Sequence, residues 1–442
     1  MIKTLHRSVI TGLKTVSLKI LLAIGLKLNN PSFVARILIL NARNINKKPI
    51  YSQILLVNEA RGGIKDIEAM IQLNGFPYNV KVIPFWASKR IMGYFFGYEV
   101  NDYIFADLSL YDNKKYNNFI QKLYLNLKVN QNVIGIVNFN FSYVSQRVPM
   151  RVCRDLKLPF ITVMKESFKT PGMFAGYEEI YRDIIKIVEP SDVFFQNFSE
   201  MDVFNRVLNS DKKIKTTVVG IPRMDLLYDQ KNNDIIIQKP VRNILFMMVG
   251  RYTGLPCIGD KIMGKDQMKL KGFVGYDYIN DLVLQSLALI SKQHNDVSVI
   301  AKHKGKEDPL VTKKRALQFP SIKFEDGDMN PEIISNSDVV IAFNSTSLAE
   351  AAISSKLIIS PEIGVDKDLL SEYFFDLSSF AFVPTTIGEF EKILEELIEN
   401  GRRPQDYYEG SREFLKALTN NTDGASGKRL KKALLSSMEH CE

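Results

Sequence analysis

Short apolar runs alternate with longer amphipathic runs along most of the chain, and this alternation restricts the fold more than any other feature. The first series of apolar runs comprises residues 53–57, 80–83, 133–137, 160–164, 193–195 and 216–219. The second series comprises residues 243–249, 297–301, 322–324, 339–343 and 357–360. Strands separated by helices form parallel βαβ units with right-handed crossovers. The pattern therefore predicts an α/β protein with two parallel sheets.

The length of the chain also favours two domains. A chain of 442 residues exceeds what a single core usually holds, and residues 229–240 begin with a polar, turn-rich run that is typical of a linker. We predict a basic amphipathic N-terminal segment (1–48), two Rossmann-like domains (49–228 and 241–400) and a C-terminal helical tail (401–442). Two such domains bind ligands at the carboxyl ends of their strands, in an interdomain cleft.

Composition narrows the class of protein. Hydrophobic residues make up 45% of the chain and charged residues 24%, as in ordinary globular enzymes. The three cysteines show neither metal-type spacing nor a pairing pattern, which indicates a reducing compartment, and the four histidines are scattered. The net charge of +9 indicates an acidic partner: a nucleic acid, an anionic membrane or a phosphorylated substrate.

Residues 2–28 intersperse lysine and arginine with aliphatic residues. Their longest uncharged run, residues 20–26, is much shorter than the roughly 20 residues that span a bilayer. A secretory signal is disfavoured because Lys19 lies in the apolar region and no small-residue cleavage site follows. The segment therefore predicts a basic amphipathic helix on an anionic membrane surface. A helix packed on its domain with solvated lysines is the alternative.

Residues 337–352 combine a buried strand, a small polar turn and a helix that opens with hydroxyl side chains. Asn344 to Ser347 are cap-type residues, and good helix formers follow them. The N–H groups of a helix N-terminus favour an anion, so this turn is a candidate phosphate site. An ordinary capped helix is the alternative.

Candidate catalytic or phosphate-binding residues follow two further predicted strands. His303, between Lys302 and Lys304, directly follows the apolar run 297–301, where an imidazole can donate to a phosphate or act as a general acid. A structural role is the alternative for His303. Glu166 follows the run 160–164 and is the first choice for a general acid or base.

For Glu166, the alternative is a surface ion pair with Lys165 or Lys169. In that case Glu178 or Glu179 would carry the acid/base role instead.

Arginines supply anion clamps at other strand ends. Arg223 can hold a phosphate or carboxylate, and Asp225 can orient it or act as a nucleophile. The alternative is an Arg–Asp pair that braces the hinge. Arg251 follows the first strand of the second series and is another candidate clamp. The glycines of residues 59–63 are too few for a dinucleotide fingerprint.

Several enzyme classes lack their signatures in this chain. The sequence contains no Walker lysine motif, no Gly-x-Ser-x-Gly elbow and no His-Glu-x-x-His, so hydrolases and ATPases are disfavoured. Asp326 and Asp328 have the spacing of an Asp-x-Asp metal signature but lie in a predicted turn. We therefore predict no metal and no cofactor.

Together, residues 220–225, 302–303 and 337–351 resemble a GT-B glycosyltransferase of the bacterial surface-polysaccharide type. Similar elements recur in capsule and lipopolysaccharide enzymes that use CMP-activated ulosonic acids such as Kdo, and in bacterial sialyltransferases. The likeness covers roughly residues 160–365, and it departs from that pattern where Lys304 replaces a proline. It implies that the donor phosphate is held by His303, Ser345, Thr346 and Ser347, with Glu350 near the ribose or base.

The resemblance also implies a reaction and its partners. An acceptor sugar hydroxyl would attack the anomeric carbon of a nucleotide-sugar donor, with the first domain on the acceptor side and the second on the donor side. Positive charge for the departing phosphate would come from Arg223, Arg251, Lys302, His303 and the helix at Ser345. The acceptor would be a saccharide or a lipid-linked glycan, and the enzyme would lie peripherally on the inner face of the bacterial cytoplasmic membrane.

Two other functions stay open at this point. One is a phosphotransferase that moves a polyol phosphate from a CDP-linked donor to a wall polymer, because such enzymes share the His and Ser-Ser/Thr layout. The other is a non-catalytic protein that binds membranes or nucleic acid through its net charge. Single-strand binders usually combine a basic stripe with stacked aromatics, and we predict no specific nucleic-acid partner.

Overall fold

The computed structural model describes residues 16–59, 62–97, 113–165, 169–187, 190–208, 213–228, 240–250, 257–258, 261–262, 275–303, 309–325, 331–365, 373–401 and 407–439. The chain divides into two compact units. Unit 1 comprises Met1–Ser167, Glu178–Arg223 and Ala425–Glu442, and unit 2 comprises Phe168–Tyr177 and Met224–Gly424. Each unit has its own hydrophobic core, which confirms the two Rossmann-like domains.

Unit 1 contains a seven-stranded sheet in the order β1-β3-β2-β4-β5-β6-β7. Its strands are β1 (Arg43–Asn44), β2 (Tyr51–Asn58), β3 (Tyr78–Ile83), β4 (Val133–Asn138), β5 (Phe160–Val163), β6 (Asp192–Phe195) and β7 (Lys215–Val218). All neighbouring pairs are parallel except β1 with β3. Every residue of β5 and β6 is buried, as expected for parallel strands covered on both faces.

Unit 2 contains a five-stranded, fully parallel sheet in the order β12-β11-β8-β13-β14. Its strands are β8 (Asn243–Met247), β11 (Ser298–Lys302), β12 (Lys323–Glu325), β13 (Val339–Ala342) and β14 (Leu357–Ile359). A separate antiparallel pair is formed by β9 (Cys257–Ile258) and β10 (Lys261–Ile262). In chain order the main sheet reads 3-2-1-4-5, which is the order of a doubly wound fold.

The helices that connect the strands are α1 (16–27), α2 (Pro31–Asn41), α3 (Gly63–Asn74), α4 (Phe85–Phe96), α5 (Lys114–Asn130), α6 (Val144–Asp155), α7 (Pro171–Ile184), α8 (Phe198–Val207), α9 (Asp225–Tyr228), α10 (Tyr276–Gln293), α11 (Pro309–Gln318), α12 (Pro331–Ser335), α13 (Thr346–Ile353), α14 (Ile387–Asn400), α15 (Tyr407–Thr419) and α16 (Ser426–Glu439). Within the described part of the chain, no helix is both long enough and apolar enough to cross a bilayer.

The last two helices belong to different units, which differs from the single C-terminal tail predicted for residues 401–442. Helix α15 is part of unit 2, whereas α16 is part of unit 1. The buried side chains of Leu430, Leu434 and Met438 on α16 join the core of unit 1. Residues 426–439 are therefore a structural element of the first domain.

The turn from β2 into α3 depends on two glycines. Gly62 has a φ of 84°, in the left-handed region that favours glycine. At Gly63 an added Cβ would overlap the ring of Phe139, which follows β4. The absence of a side chain at Gly63 therefore lets α3 begin directly against the end of the neighbouring strand.

We expect Gly63→Ala to lower the free energy of unfolding by about 1–3 kcal/mol, because the new methyl group must displace a buried ring. Gly388→Ala is the matched control, since nothing lies within 4 Å of its Cβ position in α14. That change should stabilise the protein by about 0.5–1 kcal/mol, because alanine favours the helix. Urea unfolding of both variants measures the difference, and equal effects would contradict the packing role of Gly63.

Candidate functional site

The carboxyl edge of the unit 2 sheet brings together the polar residues predicted at its strand ends. Met247, the last residue of β8, pairs with Lys302 on one side and Ala342 on the other. The residues that follow these three strands therefore leave the sheet at the same level. The strand order reverses between β8 and β13, which makes this edge a topological switch point, where doubly wound sheets bind their ligands.

The turn after β13 is a capped helix N-terminus. Ser345 is the N-cap of α13, where its Oγ accepts a hydrogen bond from the backbone N–H of Ser347 at 3.4 Å and lies 2.5 Å from the Oγ of Ser347. The Asn344 side chain donates to the carbonyl oxygen of Tyr373 at 2.6 Å, which holds the turn in place. Thr346 and Glu350 are partly exposed in the first turns of α13. The predicted strand, turn and helix are all present, and they offer hydroxyl and N–H groups to an anion.

His303 lies at the same edge, two strands away from this turn. Its side chain is buried and stacks on Phe324, with ring centroids 6.0 Å apart and planes inclined by 24°. Lys302, the last residue of β11, is also buried. Because adjacent strands lie about 4.8 Å apart, the ends of β11 and β13 are separated by about 10 Å across β8. A ligand with one or two phosphate groups fits this separation.

Two residues of α10 belong to this edge, although the sequence pattern did not identify them. Asn280 is buried and donates from its side chain to the carbonyl oxygen of Val249, just beyond β8, at 2.9 Å. The Oδ1 of Asn280 is buried with no hydrogen-bond partner among the described residues. Buried acceptors are almost always satisfied, which makes this oxygen an unusual feature of the edge.

Tyr276, at the start of α10, is the second of these residues. Its ring packs on Phe343 with centroids 4.9 Å apart. Burial and the nearby carboxylate of Glu362 raise the pKa of the Tyr276 hydroxyl, against a smaller opposing effect of the backbone N–H of Asn344, so the hydroxyl stays protonated. Helix α10 begins at Tyr276 itself, directly after Gly275. Gly275, with a φ of 85°, was the signal that marked the true start.

A cleft of about 250 Å³ lies beyond β14 in the same unit. Its lining residues are Glu362, Val365, Phe374, Phe375, Asp376, Leu377, Ser378 and Val383. Aromatic walls suit a planar base, and carboxylates accept hydrogen bonds from hydroxyl or amino groups. The cleft therefore has the chemistry to hold a nucleoside.

Arg223 is not placed as the predicted phosphate clamp. Its Nη1 donates to both carboxylate oxygens of Asp66, at 3.0 and 2.9 Å, and its backbone N–H donates to the same carboxylate at 3.1 Å. Asp66 is fully buried on α3, and burial raises the pKa of its carboxyl group against the opposing effect of Arg223. Both residues belong to unit 1, so Arg223 compensates a buried carboxylate inside that unit and forms no hinge-bracing pair with Asp225.

The side chain of Asp225 is buried and contacts a distant part of the chain. It is 1% exposed, and its carboxylate accepts a hydrogen bond from the side chain of Asn421 at 2.8 Å. The interaction joins α9 to the turn after α15 within unit 2, and the catalytic role of Asp225 stays a prediction.

The remaining candidates for the site divide into two groups. Glu166 and Arg251 lie outside the described residues. Glu178 forms ion pairs with Arg182 and Arg206, both at 3.0 Å, and Glu179 is exposed. The ion pairs of Glu178 lie at the surface of α7, and Glu166 stays the first choice for the acid/base role, with Glu178 or Glu179 as the alternative.

Unit 1 has its own topological switch point, between β2 and β4. There the buried side chain of Asn58 donates to the side-chain oxygen of Gln146 at 3.0 Å. Asn138, the last residue of β4, is 1% exposed, and its Oδ1 has no hydrogen-bond partner among the described residues. Neutral amides at a strand edge match the hydroxyl groups of a saccharide.

Within the described ranges, no group of three or more histidine, cysteine, aspartate or glutamate side chains is arranged to hold a metal ion. Asp326 and Asp328 lie outside those ranges. A reaction without a metal therefore stays a prediction.

No family model matches the chain, and no curated protein matches it. Among solved structures it is similar to the UDP-GlcNAc 2-epimerase of Neisseria meningitidis bound to UDP-GlcNAc, with 12% identity, a TM-score of 0.45 and coverage of 87% of this chain and 100% of that one. It is also similar to a glycosyltransferase of Rickettsia africae, with 13% identity, a TM-score of 0.47 and coverage of 88% of this chain and 98% of that one. A third similar structure is the UDP-forming trehalose-phosphate synthase of Burkholderia vietnamiensis, with 10% identity, a TM-score of 0.45 and coverage of 88% of this chain and 98% of that one. At this level of similarity, the fold assignment depends on the strand order of the two sheets.

Proposed function

We propose that the protein is a glycosyltransferase and that unit 2 binds the nucleotide part of its activated sugar donor. The observation that carries this proposal is the carboxyl edge of the unit 2 sheet. There His303 and the Ser345–Ser347 turn follow strands that end at one level, and Asn280 of α10 donates to Val249 just beyond β8. Helix N-termini and hydroxyl groups favour a phosphate, and the cleft beyond β14 suits the attached nucleoside.

The proposed chemistry needs positive charge where the nucleotide phosphate departs. His303 and the first-turn N–H groups of α13 supply hydrogen-bond donors that stabilise the developing charge. Lys302 adds a further cation at the same edge, although its burial limits how far its ammonium group reaches. Glu166 is proposed as the acid/base residue on the strength of its position after the run 160–164.

The acceptor is proposed to be a saccharide or a lipid-linked glycan that binds to unit 1. The amides of Asn58, Asn138 and Gln146 support this assignment because neutral donors and acceptors match sugar hydroxyl groups. By the resemblance of residues 302–303 and 337–351, the best choice of donor is a CMP-activated ulosonic acid such as Kdo, and the product would be a bacterial surface polysaccharide.

A calorimetric panel of CMP, CDP, UDP, GDP and dTDP tests the donor site. We expect CMP to bind, and Ser345→Ala together with Ser347→Ala to weaken that binding about tenfold, because two hydroxyl contacts are each worth about 0.5–1.5 kcal/mol. Ser291→Ala serves as the control, since this hydroxyl donates to the carbonyl oxygen of Ser321 at 3.3 Å, ahead of β12 and so at the opposite, amino edge of the sheet.

Each outcome of this panel has a defined meaning. Preferential binding of UDP, GDP or dTDP would keep the site and replace the ulosonic acid by another class of donor. Binding of none of the five nucleotides would contradict the glycosyltransferase proposal. For a CDP-linked polyol donor, phosphorus from the donor would appear in the product, whereas glycosyl transfer leaves it on the nucleotide.

A further inference from the structure

The whole net charge of the protein is concentrated at its N-terminal end. Residues 1–58 contain nine lysine and arginine residues and no aspartate or glutamate, and the net charge of the complete chain is +9. The other residues therefore carry equal numbers of positive and negative charges. A segment with this charge balance favours contact with anionic surfaces.

Helix α1 is a fixed part of this region. Its inner face buries Leu18, Leu22 and Leu26. Gly25 lies against α2, where an added Cβ would stand 2.7 Å from Val34. Because these contacts anchor the helix in unit 1, the opposite face of α1 is held at a defined place on the surface.

The outer face of α1 is apolar. Val16, Ile20, Ile24 and Leu28 succeed one another at intervals of four residues, which places them in one stripe along the helix and the turn after it. Each of the four is at least 43% exposed. Isolated exposed aliphatic residues are common on protein surfaces, but a continuous stripe marks an interaction site.

Basic and aromatic side chains accompany this stripe. Lys19 and Lys27 are exposed on α1, and the Nζ of Lys19 lies 5.6 Å from the ring centre of Trp86 on α4. Helix α4 also exposes Arg90 and Tyr94, which follow Trp86 at intervals of four residues. Tryptophan and tyrosine are enriched at membrane interfaces because one end of each ring system is apolar and the other polar.

We propose that these residues form a docking surface for an anionic phospholipid bilayer, in addition to the proposed transferase activity. The docking surface comprises Val16, Lys19, Ile20, Ile24, Lys27, Leu28, Trp86, Arg90 and Tyr94. Its apolar stripe inserts at the boundary between headgroups and acyl chains, while its cations contact lipid phosphates. A bilayer is the occupant that matches both features, since residues 1–58 offer no carboxylate to a basic protein partner.

The single tryptophan of the chain provides a direct measurement. The full-length protein is mixed with vesicles of phosphatidylcholine containing 30% phosphatidylglycerol, or with vesicles of phosphatidylcholine alone. We expect cosedimentation and a blue shift of Trp86 emission with the anionic vesicles, and binding at least tenfold weaker to the neutral ones.

Substitutions on the docking surface separate the contribution of its apolar stripe from that of its lysines. Ile20→Glu with Ile24→Glu should reduce binding to the anionic vesicles at least tenfold, because carboxylates replace the inserting side chains and repel the lipid. Lys19→Gln with Lys27→Gln should also weaken binding and reduce its dependence on salt. Leu289→Glu with Leu317→Glu is the matched control, since these leucines are exposed in unit 2, and it should retain most of the binding.

The replaced side chains are exposed, so circular dichroism and the thermal midpoint of each variant should match those of the parent. Equal loss of binding in the control would overturn the assignment of the docking surface, as would absence of binding to anionic vesicles. Self-association through α1, seen by sedimentation velocity and abolished by the Ile20 and Ile24 substitutions, would overturn it in favour of a second copy. Nucleotide binding is measured without lipid, so failure of the donor site is distinguishable from failure of the docking surface.

Discussion

Replacing Arg223 by alanine is expected to lower the free energy of unfolding by about 3–5 kcal/mol. The change removes the partner of Asp66, a carboxylate whose side chain is 1% exposed, and leaves a buried charge without compensation. Water cannot readily replace the guanidinium at this position. Urea unfolding monitored by circular dichroism measures the loss.

The effect of Arg223→Ala should depend on pH. Without the guanidinium, burial alone acts on Asp66, and the pKa of its carboxyl group in the folded state rises further above the unfolded value of about 3.9. The folded variant then holds the proton more tightly than the unfolded chain does, so its stability falls as the pH rises from about 4 towards 7. The destabilisation relative to the parent is therefore largest at pH 7 and smallest near pH 4.

The double variant Asp66→Asn with Arg223→Ala tests whether the uncompensated charge of Asp66 causes this destabilisation. Asparagine has nearly the same shape as aspartate but carries no charge, so the double variant should be more stable at pH 7 than Arg223→Ala alone. A loss below about 1 kcal/mol for Arg223→Ala at pH 7 would contradict the role of Arg223 in compensating the Asp66 carboxylate. In that case Arg223 would return to the group of donor-binding candidates.

Replacing His303 by alanine is expected to lower kcat/KM with the nucleotide-sugar donor about 100- to 1000-fold. In the proposed mechanism the imidazole donates to the departing phosphate, and removal of one such donor typically costs about 3–4 kcal/mol of transition-state stabilisation. His303→Gln preserves a donor of similar size and should recover part of the rate. Initial-rate kinetics and calorimetry with the nucleotide separate the effect on turnover from the effect on binding.

His294 provides the matched control for this experiment. It follows α10 in unit 2, is partly exposed and contacts Glu395 at 2.8 Å, away from the carboxyl edge of the sheet. His294→Ala should leave kcat/KM within about twofold of the parent. Unchanged kinetics in His303→Ala would remove this residue from the site, and a thermal midpoint close to that of the parent ensures that lost activity is not lost folding.

The sequence by itself determined which segments are strands and which are helices, because those signals are local. Residues 339–342 form the predicted buried strand, and Ser345 caps the helix that follows. Helix α14 comprises residues 387–400 and ends at Gly401, which has a φ of 65°. Apolar periodicity, N-cap side chains and a left-handed glycine act within a few residues of one another, so they can be identified along the chain.

The tertiary structure alone decided which of the polar residues belong to a site. Arg223 and Asp66 are 157 positions apart, and no local pattern distinguishes a phosphate clamp from an arginine that compensates a buried carboxylate. The same holds for Asn280, which reaches the edge of the sheet only because α10 begins at residue 276, and for α16, which returns to the core of unit 1. Charge pairing and burial depend on contacts between segments distant in sequence, and those contacts form only when the sheets assemble.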